Sequence, residues 1–107
     1  MNPEDFKKLV NGYITTDITY DEPHVTMRCR ENNITLDDVK RIVLDIDAEL
    51  VRVVRDRSDV YKLYYRLSRH RELKVVIDLL THKYVNIRAV KILNDRFQLG
   101  SIKRQRF

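Results

Sequence analysis

The chain has 107 residues and a formal net charge of +5, with 43% hydrophobic and 35% charged residues. Its length is typical of one domain, and its apolar residues recur in periodic segments, which excludes a disordered chain. The single cysteine excludes an intramolecular disulfide. The apolar runs are too short to cross a bilayer, and the charged start does not resemble a secretory signal. We therefore expect a soluble, cytoplasmic protein.

The two halves of the chain carry opposite charge. Residues 1–50 contain 6 Lys/Arg and 11 Asp/Glu, whereas residues 51–107 contain 15 Lys/Arg and 5 Asp/Glu. The local balances are therefore −5 and +10. A basic surface raises the local concentration of polyanions, although many proteins with such a surface bind none. We expect a dipolar domain with an acidic helical layer beside a basic sheet.

The first predicted element is a short helix over residues 3–11. Asn2 suits the N-cap position, Pro3 suits the first helical position, and acidic residues follow them. Gly12 is a natural helix stop. Residues 13–20 alternate weakly and predict either a short strand or an extended connection.

Residues 24–31 carry conflicting signals. Apolar and polar side chains alternate there, and this periodicity alone favours a strand. Pro23 follows two acidic residues, which is a helix-start signal, and His24 and Arg28 would share one helix face. The family resemblance described below also favours a helix, which is the assignment we follow.

A second clear helix is predicted over residues 35–46. Thr35 stands at its cap, and Asp38 stands three residues later in a capping-box-like arrangement. The helix carries one apolar stripe, formed by Leu36, Val39, Ile42, Val43 and Ile46.

The second half predicts a meander of antiparallel hairpins, because four strand-like segments follow one another with short polar turns between them. These segments are residues 50–55, 60–68, 73–80 and 84–93. The predicted fold class is α+β, with two to three N-terminal helices packed on a curled four-stranded antiparallel sheet. We assign residues 1–93 to this single domain. Residues 94–107 then form a basic tail, with a short helix followed by a frayed end.

The residues typical of metal and thiol chemistry do not form a recognisable site. No ligand spacing such as C-x2-C or H-x3-H joins His24, Cys29, His70 and His82. Cys29 lies between two arginines, which can lower a thiol pKa, but a small buried apolar role is the favoured interpretation. We predict no metal and no cofactor.

A basic and aromatic surface is the strongest chemical feature. In the segment 60–68, Lys62, Tyr64 and Arg66 would project from one face, while Tyr61, Leu63, Tyr65 and Leu67 would project from the other. Such cations can hold a phosphodiester backbone, and a tyrosine can stack on a base. The nucleic-acid-binding candidates are Lys62, Arg69, Arg71, Lys74 and Arg88. The catalytic candidates for metal-free RNA cleavage are Tyr64, Arg66 and His70, which could move protons or stabilise a phosphorane. The alternative is an ordinary solvated outer face of mixed charge.

A short motif then links the helical half to a known group of proteins. His24, Arg28, Ile34, Asp38 and Val39 resemble the pattern H-x3-R-x3-R-x-I-x3-[DE]-V of a bacterial and archaeal family of unknown function. That family is grouped with the RelE/ParE/BrnT-like toxin superfamily, and the resemblance covers roughly residues 20–93.

The resemblance implies helices packed on a curled antiparallel sheet and an interferase-type ribonuclease, or a ribosome or RNA partner. Asn32 stands where the family usually has a second arginine, so the chain departs from the pattern there. The roles of His24 and Arg28 stay open between function and structure, because a helix-borne pair can also hydrogen-bond a sheet edge.

Two functional hypotheses follow from these features. The first is an RNA-directed, toxin-like module of the metal-independent endoribonuclease type. The alternative is a non-enzymatic protein-interaction module that pairs with an acidic partner, such as an antitoxin-like chain or its own copy. The sequence predicts no membrane partner and does not predict the oligomeric state.

Overall fold

The computed structural model of the protein describes residues 1–79 and 83–94. Its helices are α1 (Pro3–Val10), α2 (His24–Glu31) and α3 (Leu36–Leu44), with a 3-10 turn at Thr15–Asp17. Its strands are β1 (Ile18–Tyr20), β2 (Leu50–Arg57), β3 (Val60–Ser68), β4 (Arg71–Asp78) and β5 (Val85–Asn94). The predicted α+β class is therefore confirmed. In the described ranges, no helix has the length and apolar character needed to cross a membrane.

The sheet is larger than predicted, and it is mixed. Its strand order is β1-β5-β4-β3-β2, and β1 runs parallel to β5 while the other neighbours are antiparallel. The prediction of a four-stranded antiparallel sheet was therefore wrong in two respects: the sheet has a fifth strand, β1, and this edge strand is parallel to its neighbour. The sequence left residues 13–20 open between a short strand and an extended connection. Ile18–Tyr20 form the short strand β1, whose three residues are too few for alternation to show that it joins the sheet.

Local capping groups set the helix boundaries. The Asn2 side chain accepts a hydrogen bond from the Asp5 amide at 2.9 Å, and the Asp5 carboxylate accepts one from the Asn2 amide at 3.1 Å. Thr35 Oγ1 accepts from the Asp38 amide at 3.0 Å, as the sequence predicted. The third helix ends at Leu44 rather than at residue 46, because the backbone is already extended at Asp45.

Residues 24–31 form a helix, which decides between the two sequence signals. Val25 and Cys29 are both buried on one face of α2, four residues apart, whereas Met27 is 51% exposed. The apolar alternation was therefore misleading, since Met27 faces solvent although its residue type suits a core position.

The first two turns between the predicted strands are shorter than predicted, whereas β4 ends at Asp78 and β5 begins at Val85, which makes the third connection longer. Residues 58–59 join β2 to β3, and residues 69–70 join β3 to β4. Ser58 adopts a positive φ of 33° in the first of these turns. Residues 80–82, which include His82, and the tail beyond Asn94 lie outside the described residues, and so does most of the tail prediction.

One face of the sheet packs against the helices, and we call it the inner face. It carries alternate strand residues such as Leu63, Tyr65 and Val75, which are at most 2% exposed. Phe6, Val10, Val25, Cys29, Val39 and Val43 cover it from the three helices. The predicted alternation in β3 is confirmed, because Lys62, Tyr64 and Arg66 lie on the opposite, outer face.

Candidate functional site

Helix α2 lies against an uncovered part of the sheet edge. Among the described residues, β1 pairs with residues 85–87 of β5 only, and the rest of this ten-residue strand has no described strand neighbour on that side. Asn32, at the end of α2, accepts a hydrogen bond from the Ile92 amide at 2.9 Å through Oδ1. Its Nδ2 donates to the Arg28 carbonyl at 2.7 Å. Asn32 therefore satisfies a strand-edge amide that would otherwise need another partner.

Two neighbouring stripes of α2 have different tasks. Val25 and Cys29 point into the core, while His24, Arg28 and Glu31 recur at helical spacing on the adjacent stripe. Arg28 pairs with Glu31 at 2.7 Å, and both side chains are about half exposed. The helix thus closes the edge of the sheet with its apolar stripe and borders the outer face with its polar stripe.

A groove of about 480 Å³ lies between α2 and the outer face of the sheet. Its volume is in the range of sites that hold small ligands. The groove is lined by His24, Arg28, Glu31 and Asn32 from α2, by Lys74 and Val76 from β4, and by Ala89, Val90 and Lys91 from β5. His24 and Arg28 were predicted as part of the family motif, and Lys74 was predicted as part of the basic sheet surface. The groove brings these three residues together.

Lys74 and Lys91 stand directly opposite each other on β4 and β5. Neither has a salt bridge to a carboxylate among residues 1–79 and 83–94. Burial lowers the pKa of Lys74, the nearby charges of Lys62 and Lys91 lower it further, and Asp56 partly opposes them. Like charges facing each other across a sheet are destabilising. The groove therefore contains a positive site that an anion would stabilise.

The other described cations of the outer face have acidic neighbours. The pairs are Arg52–Glu72 at 3.5 Å, Lys62–Asp56 at 3.7 Å, Arg66–Glu49 at 3.1 Å and Arg88–Asp78 at 3.4 Å. The outer face as a whole is consequently of mixed charge. In the part of the chain that the structure describes, the Lys74–Lys91 pair is therefore the outer-face positive charge that has no salt bridge.

A straight row of side chains leads from the groove across the sheet. Lys91 pairs in register with Lys74, Lys74 with Tyr64, and Tyr64 with Arg52. We call these four residues the transverse row. It spans three inter-strand spacings, or roughly 14 Å. The Arg52 guanidinium lies 4.0 Å from the centroid of the Tyr64 ring in a cation–π contact.

The structure separates the remaining predicted site residues from this groove. Arg88 is the extra residue at a bulge of β5, because Val76 pairs with Ala89 and the next residue pairs with Ile87. Arg69 and His70 form the β3–β4 turn and Arg71 begins β4. That turn lies about four residues, or roughly 13 Å, along the strand from Lys74. The predicted catalytic residues Tyr64, Arg66 and His70 are therefore spread along β3 and its turn rather than gathered at one point.

Sequence reasoning missed Lys91 and the meeting of His24 and Arg28 with Lys74. The cross-strand register between β4 and β5 decides this arrangement, and the bulge at Arg88 shifts it. The thiol of Cys29 is buried, and this burial raises its pKa despite the adjacent arginines. The structure thus agrees with the apolar interpretation of Cys29.

Comparisons with known proteins returned no matching family model, no matching curated protein and no matching solved structure. The grouping with RelE/ParE/BrnT-like toxins stays a prediction for this reason. The function has to be inferred from the groove and its surroundings.

We predict that Asn32→Ala lowers the free energy of unfolding by about 1–3 kcal/mol, because it leaves the Ile92 amide without its acceptor. Asn32→Arg, which restores the family pattern, should be destabilising for the same reason. Urea denaturation measures both effects, with Asn11→Ala at an exposed helix end as the matched control. A loss for Asn32→Ala no larger than that of the control would contradict this role.

We also predict that Lys74→Met raises the free energy of unfolding at neutral pH by about 0.5 kcal/mol, because it removes a like-charge pair. The pKa of Lys74 is lower in the folded protein than in the unfolded chain. At pH values between these two pKa values, the unfolded chain therefore binds more protons than the folded protein. Wild-type stability should therefore rise with pH across that window, and the advantage of the variant should shrink.

Lys91→Met should show the same direction, and the double variant should gain less than the sum of the two because both relieve one repulsion. Lys8→Met, on the exposed side of α1, serves as the control in the same denaturation experiments. Destabilisation by Lys74→Met, or full additivity of the two substitutions, would argue against this repulsion.

Proposed function

We propose that this domain binds RNA through the phosphate backbone, with the groove between α2 and the outer face as the main contact. The observation that carries the proposal is the facing Lys74–Lys91 pair, which forms no salt bridge within residues 1–79 and 83–94. A phosphate placed between the two ammonium groups would replace their repulsion with charge-assisted hydrogen bonds. It would also raise the pKa of Lys74 back toward its ordinary value.

Arg28 and His24 add to this site from the helix side. A guanidinium presents donors that match two phosphate oxygens, and a protonated imidazole adds another donor. The Arg28–Glu31 pair is half exposed, and such pairs contribute only about 0–1 kcal/mol. Arg28 can therefore exchange Glu31 for a phosphate at little cost.

The transverse row favours a polymer over an isolated phosphate ion. It continues from the groove for roughly 14 Å and ends at Arg52 on the edge strand β2. Tyr64 in its middle offers a ring on which a base can stack once the Arg52 guanidinium moves aside. A single-stranded RNA lying across the strands would use this surface, as nucleic acids do on other sheets with exposed aromatic residues.

Binding rather than cleavage is the function that this geometry favours. The three catalytic candidates do not converge on one point, because Tyr64 and Arg66 are two positions apart on the outer face of β3. His70 lies in a turn well away from both the groove and the row. Metal-independent cleavage by Tyr64, Arg66 and His70 remains a prediction, and intact RNA on a gel after the binding experiment would count against it.

The acidic-partner alternative uses the same cations, because a carboxylate can also sit between Lys74 and Lys91. RNA is preferred because the transverse row combines cations with an aromatic ring, which stacks on bases but has no counterpart in an acidic side chain. Polyglutamate of similar charge is therefore the control polyanion.

The test is fluorescence anisotropy with a short single-stranded RNA of mixed sequence, titrated at several salt concentrations. Affinity should fall with salt, with a log–log slope of about −0.7 for each phosphate contacted. Lys74→Gln and Lys91→Gln should each weaken binding and reduce the slope by about 0.7, whereas Lys8→Gln should leave both unchanged.

Three results would overturn the proposal. They are absence of binding at low salt, equal slopes for the wild type and both groove variants, and polyglutamate binding as tightly as RNA. The last result would favour the acidic-partner alternative.

A further inference from the structure

The transverse row ends at the groove, where α2 lies across its path. On the β2 side the described sheet ends in an edge strand, so a strand of RNA can continue outward there. On the β5 side, α2 borders the groove and is held in place through Asn32. An RNA that follows the row from Arg52 toward Lys91 therefore meets α2 and has to turn or end.

The positive charge of the groove is larger than the negative charge of one internal phosphodiester. Lys74, Lys91 and Arg28 line it as cations and His24 adds an imidazole, while Glu31 is the carboxylate in its lining. The three cations and one carboxylate leave two positive charges. An internal phosphodiester carries one negative charge, whereas a phosphate monoester carries about −1.5 to −2 and has three free oxygens.

The floor of the groove suits one nucleoside. Three apolar residues, Val76, Ala89 and Val90, line the groove beside the lysines. Val76 and Ala89 face each other on the outer face, whereas the Val90 side chain is buried on the inner face. The volume of about 480 Å³ is within the range of pockets that enclose a small ligand. Ala89 has the shortest side chain of the three, so a larger residue there would fill space without changing charge.

We infer that the groove recognises a terminal phosphate monoester of RNA, so that the RNA strand ends against α2. This inference rests on the proposed RNA binding. Lys74 and Lys91 hold the phosphate from the sheet, and Arg28 and His24 hold it from the helix. The terminal nucleoside packs on Val76 and Ala89, and the following nucleotides lie along the transverse row. The monoester chemistry is shared by 5′- and 3′-phosphorylated ends, and the experiment distinguishes them.

The experiment compares RNAs of one sequence that carry a 5′-phosphate, a 3′-phosphate or hydroxyl groups at both ends. The fluorophore is attached at the end opposite the phosphate, and hydroxyl-ended RNAs are labelled at each end as references. One phosphorylated end should bind about tenfold more tightly than its hydroxyl reference at neutral pH. Phosphatase treatment of that RNA should abolish the difference.

Two groove variants locate the effect. Arg28→Gln removes a cation, and Ala89→Ile fills the floor at constant charge, so each should reduce the tenfold preference to less than about twofold. Lys8→Gln, on the exposed side of α1 and outside the groove lining, removes a cation elsewhere and should retain the preference. Circular dichroism and thermal unfolding verify that each variant is folded.

The outcomes separate the two levels of inference. One outcome is that the wild type binds all three RNAs with equal affinity while Lys74→Gln still weakens binding. That result would overturn end recognition and leave backbone binding intact. Absence of RNA binding by the wild type would overturn both. A preference that survives in folded Arg28→Gln and Ala89→Ile would place end recognition elsewhere and refute the groove as its site.

Discussion

The arrangement of this molecule depends on how the free edge of β5 is closed. β5 has ten residues, but β1 pairs with only three of them, so most of that edge needs another neighbour. Helix α2 fills this position, and Asn32 supplies the acceptor for the Ile92 amide. Because α2 also carries His24 and Arg28, the same packing that closes the edge brings these side chains beside Lys74 and Lys91.

The groove departs from the charge balance found over the rest of the outer face. Arg52, Lys62, Arg66 and Arg88 each form a salt bridge with a carboxylate, whereas neither facing lysine forms one within residues 1–79 and 83–94. Stability alone would favour a neutral or oppositely charged pair at these positions. Titratable groups held in an unfavourable environment are characteristic of functional sites, where a ligand offsets the cost.

Local elements could be predicted from the sequence, and the meeting of distant elements could not. Thr35 and Asn2 act within a few residues, so their helix starts were predictable. The alternation in β3 also placed Lys62 and Tyr64 on the outer face. Met27 gave α2 a false strand pattern, and the weak alternation over residues 13–20 did not show that β1 pairs with β5. The opposition of Lys74 and Lys91 depends on a register set by the bulge at Arg88, which no local signal specifies.

The central claim is that the Lys74–Lys91 pair is where a phosphate binds. Amine-labelling mass spectrometry measures this directly, by comparing the modification rate of each lysine in the free protein and in the presence of RNA. Joint protection of Lys74 and Lys91, with Lys8 unchanged on the helical side, is the result expected from the groove geometry. Unchanged labelling of both groove lysines under conditions where RNA is bound would contradict it.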